Sequence, residues 1–153
     1  MRIASPVASR YISLMRLILD TNVLVAAVRS RTGASNPLVI AGFQGRFRWC
    51  CSVPLFYEYE DVLNRAEFLL DAGVARKDIG RLLDAIARTV EPVEVHFRWR
   101  PQLTDPADEM VLEAAINAQA SVVTHNRKDF AGVPARFDVE VLAPGDALRR
   151  IET

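Results

Sequence analysis

Leu17-Ile18-Leu19-Asp20-Thr21-Asn22 is the stretch on which the reading of this chain turns. Three aliphatic residues run directly into an acid, a hydroxyl and an amide, and a helical apolar pattern (Val23, Leu24, Ala26, Ala27, Val28) follows at once. The pattern predicts a buried strand over Arg16–Asp20 that hands over to a helix from Thr21 to about Ser30. In an open α/β sheet, ligands bind outside the carboxyl ends of the strands. Asp20 is therefore a candidate for chemistry, provided that other acids converge on it.

Working outward, the same alternation repeats. Asn36-Pro37 predicts a helix start, with Asn36 as N-cap and Pro37 at the first helical position; that helix ends near Gly45. Phe47–Cys51 predicts a short strand. Ser52 caps a helix to about Arg65, striped by Leu55, Phe56, Tyr59, Val62, Leu63 and Ala66. A further helix starts near Arg76 with Ile79, Leu82, Leu83, Ile86 and Val90 inward. Val93–Phe97 alternates as a strand. Asp105-Pro106 opens a helix to about Gln119. Ser121–Thr124 and Val139–Leu142 are the last strands, and Pro144 begins a closing helix. Short strands alternating with helices predict an α/β fold with a mostly parallel sheet covered on both faces.

A chain of 153 residues suits one domain, expected over residues 15–153. Met1–Leu14 is basic and serine-containing without the apolar core of a secretory signal, and is expected to be a mobile extension. No apolar run approaches a membrane span. Nineteen basic and 19 acidic residues balance to zero net charge, which argues against a strong non-specific nucleic-acid binder but not against an enzyme with a local site. Adjacent Cys50 and Cys51 cannot pair without strain and lack histidines at metal-ligand spacing. They read as buried strand residues of a reducing cytoplasm.

Which acids are unusual? In the Asp105 helix the apolar stripe is Val111, Leu112, Ala115, Ile116 and Ala118. Asp108 lies on it, whereas Glu109 and Glu113 lie off it. An inward carboxylate costs several kcal/mol unless a metal or partner compensates it. Asp105 and Asp108 also suit the start of a helix as cap and first-turn acid. In the Ser52 helix, Glu58 and Glu60 flank the apolar stripe at opposite edges, and the wheel does not choose between them. Past the strand at Ser121 come Thr124, Asn126 and Asp129, which a neighbouring parallel strand would bring near Asp20; the competing reading is a polar turn. Clustered carboxylates suit Mg²⁺ or Mn²⁺, which orient water and neutralise a phosphodiester's developing charge.

Taken together, LILDTNVL, then Ser52 followed by Glu58, Val62, Leu63 and Arg65, then DPADEMVLEAA and VVTHNRKDF, resemble the PIN-domain proteins. The resemblance covers roughly Met15 to Leu142 and is nearest to the VapC-like toxin branch of bacterial toxin–antitoxin systems. It implies a three-layer α/β sandwich and a Mg²⁺- or Mn²⁺-dependent endoribonuclease. The family's acids fall on Asp20, on Glu58 rather than Glu60, and on Asp108, with Asp105 accompanying. These three would be catalytic and would hold the metal. The fourth position falls on Asn126, where many members carry Asp; Asn ligates through its carbonyl but brings no charge, and Asp129 is the nearest compensating acid. Thr21, Asn22 and Thr124 would fix carboxylate geometry. The family also implies an RNA substrate, an antitoxin partner and a homodimer.

Arg98-Trp99-Arg100, Arg127 and Lys128 are candidate RNA contacts, each competing with a solvated-surface role. His96 and His125 read as structural or solvent-exposed. Asn126 also motivates an alternative, a PIN-fold module that binds RNA or protein with little or no catalysis. A phosphoacceptor domain is disfavoured, because the haloacid-dehalogenase-type pattern requires an acid where Asn22 stands.

Overall fold

The computed structural model describes residues 14–96 and 103–152. Five strands, β1 (Arg16–Leu19), β2 (Arg48–Ser52), β3 (Glu91–Val93), β4 (Ser121–Val123) and β5 (Val141–Leu142), form one sheet in the order β3-β2-β1-β4-β5. Every pairing is parallel. Helices connect them: α1 (Thr21–Arg29) and α2 (Ser35–Phe43) after β1, α3 (Val53–Leu63), α4 (Ala66–Ala72) and α5 (Arg76–Thr89) after β2, α6 (Pro106–Ala118) before β4, α7 (Val133–Phe137) before β5 and α8 (Pro144–Glu152) at the end. The result is the three-layer α/β architecture expected from the alternation.

Leu17, Ile18 and Leu19 have no exposed surface, as a strand covered on both faces requires. Strand order runs outward from β1 in both directions, to β2 and β3 on one side and to β4 and β5 on the other. Right-handed crossovers then put the helices before β2 and the helix before β4 on opposite faces. The connections diverge at the carboxyl ends of β1 and β4, the position at which ligands bind in open α/β sheets. The register Leu19↔Val123 puts Asp20 and Thr124 side by side there.

Several expected boundaries move. The strand expected over Val93–Phe97 lies earlier, at Glu91–Val93, because it registers on β2 (Cys50↔Glu91, Ser52↔Val93) and Glu91 is drawn to Arg16 at 2.5 Å and Arg48 at 3.1 Å. Pro92 is tolerated because β3 is an edge strand. Asn36 is not an N-cap: α2 begins at Ser35, and the Asn36 amide instead donates to the Ala27 carbonyl at 2.9 Å, tying α2 to α1. The Ser52 helix stops at Leu63, and α4 follows as a separate turn ended by Gly73 at φ +70°. Ser52 does cap α3, accepting from the Leu55 N–H at 3.3 Å. Cys50 and Cys51 are free and buried, and burial pushes their thiols up to about 11 and about 12.

Candidate active site

Asp20 ends β1 and stands at the N-cap of α1 in extended backbone, so its carboxylate sits on the sheet edge facing a helix N-terminus. It is only 8% exposed. Its backbone N–H continues the ladder to the Val123 carbonyl at 2.9 Å. Thr124, with no exposed surface, donates its hydroxyl to Asp20 Oδ2 at 2.7 Å. The same hydroxyl oxygen accepts from Asn22 Nδ2 at 3.2 Å and from the Asn126 N–H at 3.1 Å. Both acceptor sites are thus taken, which leaves Thr124 only its proton to offer Asp20. Asn22 closes the ring by accepting from the His125 N–H at 3.2 Å.

This network joins residues that the sequence placed on separate strand ends. Burial raises the Asp20 carboxyl above its ordinary range; the Thr124 hydroxyl and the Thr21 N–H pull it down, and Asp129 and Asp105 push it up again. Asp108, half-buried in the first turn of α6, is pushed up to about 7, first by burial and then by the negative charges of Asp20, Asp105, Asp129 and Glu109. Glu58, half-buried on α3, is raised chiefly by burial, with Asp105 and Asp20 adding to it. Asp20, Glu58 and Asp108, brought in by the end of β1, α3 and α6, are thus each raised with a contribution from neighbouring negative charge, that of Asp105 in all three. Glu60 is exposed on the far side of α3, which separates it from Glu58 as the helical wheel did not.

Asp105 serves as a helix cap, its Oδ1 accepting from the Ala107 N–H at 2.9 Å, while adding to this negative field. Asn126 and Asp129 are exposed in and beside a short 3₁₀ turn, Arg127–Phe130, anchored by buried Phe130. Arg127 and Lys128 are exposed on the same turn, and Arg127 lines a cleft of about 470 Å³ with Leu142, Asp146, Arg149 and Arg150. Arg98, Trp99 and Arg100 lie outside the described residues. His96 is exposed, its N–H bound to Asn117 Oδ1 at 2.9 Å. His125 is exposed too, and its Nε2 meets the buried Ser35 hydroxyl at 2.7 Å, a link between α2 and the end of β4 that the sequence pattern does not signal.

One wheel assignment is reversed. Glu109 and Glu113, expected off the apolar stripe, are 4% and 5% exposed. The reason is that α6 packs against β1, β2, β3, β4 and α3 together, so little of its circumference meets solvent. Glu109 is compensated by the Leu103 N–H, which it accepts at 2.5 Å.

Does this donor set suit a hard divalent cation? Among the described residues no three His, Cys, Asp or Glu side chains are placed to close on one ion. Mg²⁺ does not require that, since it keeps several waters and takes one or two carboxylates. The set fits in other respects: all the facing donors are oxygens, their charges oppose one another, and Thr21 Oγ1 is buried beside Asp20 without a hydrogen-bond partner.

The PIN domain family model matches residues 16–128. No curated protein matches the chain in sequence. Among solved structures, VapBC2 from Rickettsia felis bound to a DNA fragment from its promoter is similar at 16% identity and a TM-score of 0.59, over 84% of this chain and 98% of that one. VapBC-1 from nontypeable Haemophilus influenzae is similar at 15% identity and a TM-score of 0.59, over 86% of this chain and 99% of that one. With the family model running from β1 into the turn after β4, Asp20, Glu58, Asp105 and Asp108 all fall inside the match: this chain belongs to the PIN-domain family.

Proposed function

We propose that this PIN domain is a Mg²⁺- or Mn²⁺-dependent endoribonuclease that acts as the toxin of a toxin–antitoxin pair. The observation that carries the reading is the Asp108 carboxyl, pushed up to about 7 by burial and by acids gathered from other elements. Such a cluster is costly in a metal-free fold and is relieved by a cation.

Asp20, Glu58 and Asp108 would hold the ion, with the Asn126 side-chain carbonyl as a neutral fourth donor. Bound there, a divalent cation lowers the pKa of water and neutralises charge on the phosphate undergoing attack. The chain's own residues supply the framework. Thr124 holds Asp20 Oδ2 and so fixes the carboxylate's orientation. Asn22 orients Thr124 and holds the His125 backbone. Asp129 adds charge that Asn126 lacks. Arg127 and Lys128, exposed on the turn after β4, would hold RNA phosphates. Both similar structures are VapBC assemblies, which supports an antitoxin as partner; a homodimer and a cytoplasmic location follow from the same reading. No helix among the described residues is long and apolar enough to cross a membrane.

Incubating the purified chain with RNA tests the activity. Cleavage with Mn²⁺ or Mg²⁺ that EDTA stops is the expected result. A second reading, a PIN-fold module that binds RNA or protein without cutting, is favoured by the uncharged Asn126. RNA that is bound but stays intact at every metal concentration selects it.

A further inference from the structure

Tyr59 follows Glu58 on α3, and its place in the apolar stripe accounts for its ring but not for its hydroxyl. The side chain is fully buried, and the hydroxyl donates to the Leu19 carbonyl at 2.6 Å. Leu19 is the residue before Asp20.

That carbonyl needs a donor for a reason built into the sheet. Along a strand, backbone groups of successive residues turn to opposite neighbours. The Asp20 N–H turns to β4, where it meets Val123, so the Leu19 carbonyl turns towards β2. The β1–β2 pairing, however, extends only through Arg16↔Arg48 and Leu17↔Trp49. Beyond it β2 stays with β3 as far as Ser52↔Val93, leaving the Leu19 carbonyl past the end of its ladder. A buried carbonyl without a partner is costly, and Tyr59 provides the partner.

We infer that Tyr59 is a positioning residue, whose hydrogen bond to Leu19 sets the height of α3 along β1 and with it the placement of Glu58 against Asp20. The buried Leu55 and Leu63 side chains of α3 add apolar contacts, which carry no direction, while the Tyr59 hydroxyl also meets Trp49 and Cys51 of β2. The Tyr59–Leu19 bond is directional, and each of its ends is covalently next to one of the two carboxylates. The inference rests on the reading that Asp20 and Glu58 serve one cation.

The test measures Mn²⁺ binding without RNA, by the paramagnetic resonance signal of free Mn²⁺, for wild type, Tyr59→Phe and Ile86→Val. Tyr59→Phe keeps the ring and removes the hydroxyl, with its bond to Leu19 and its contacts to Trp49 and Cys51. Ile86→Val is a core truncation on α5 that controls for lost stability, with melting temperatures recorded for all three. The expected result is a Mn²⁺ dissociation constant raised roughly tenfold in Tyr59→Phe, in the range seen when residues that orient metal ligands are altered, and unchanged in Ile86→Val. Equal binding by Tyr59→Phe and wild type overturns the positioning role alone. A wild type that binds no Mn²⁺ fails the metal reading and takes the positioning role with it.

Discussion

The Thr124 hydroxyl donates to Asp20 Oδ2 at 2.7 Å across neighbouring strands, although the two residues are 104 positions apart in sequence. One buried oxygen thereby serves Asp20, Asn22 and the Asn126 backbone at once. Thr124→Val keeps the shape and strands all three partners. Unsatisfied buried groups of this kind cost about 1–3 kcal/mol. Thermal melting should register a loss in that range, with RNA cleavage falling roughly 10–100-fold, and Thr124→Ser should recover most of both. A Thr124→Val protein as stable and active as wild type would show the network to be incidental.

Asp108 makes a pH prediction. Its folded carboxyl titrates near 7, above its ordinary value of 3.8, with burial the first cause and the neighbouring acids the next. A carboxyl raised on folding favours the folded state fully below its unfolded value, and that contribution is lost as pH rises through the folded value. Metal-free wild type should therefore lose melting temperature between about pH 4 and pH 7 in a way that Asp108→Asn does not. At limiting Mn²⁺, cleavage by wild type should rise through about pH 7, since protons and cation compete for the same oxygens. Melting curves that run parallel for the two proteins would remove the raised carboxyl from the account.

Glu58 and Glu60 form an internal control. They share a helix, but only Glu58 is half-buried and within the field of Asp20 and Asp105. Glu58→Gln should lower cleavage by at least tenfold, by analogy with other metal-site changes. Glu60→Gln should leave it unchanged. Equal effects in a side-by-side digestion would reassign the second acid.

In the proposed site Asn126 is a neutral donor, and Asp129 is an acid whose charge reaches Asp108. Asn126→Asp should tighten Mn²⁺ binding and lower metal-free melting temperature, since it adds another charge to a cluster that already repels itself. Asp129→Asn should do the reverse. Mn²⁺ titration with calorimetry reads both, and a weaker site in Asn126→Asp would contradict the assignment of that position.

What was legible in the sequence were features carried by local pattern. The run Leu17–Leu19 into Asp20 could only be a covered strand ending in an acid, and Thr124 after Val122-Val123 repeated that form. Helix periodicity separated inside from outside well on α5 and poorly on α6. There the helix is enclosed by four strands and α3, so Glu109 and Glu113 are buried despite lying off the stripe. Glu58 could not be separated from Glu60 without the family resemblance, because the choice depends on which edge of α3 faces β1 and α6. The Ser35–His125 and Tyr59–Leu19 bonds were invisible because each joins elements whose relative height only the folded sheet determines.

The most direct test of a cation-dependent nuclease at Asp20 is RNA digestion by wild type and Asp20→Asn across a Mn²⁺ titration, with melting temperatures recorded alongside. Asparagine can still accept from Thr124 and relieves a carboxylate that burial already disfavours. The account predicts a metal-free Asp20→Asn protein at least as stable as wild type, with cleavage reduced at least about a hundredfold. Cleavage by Asp20→Asn at the wild-type rate, or wild-type cleavage that EDTA does not affect, would contradict it.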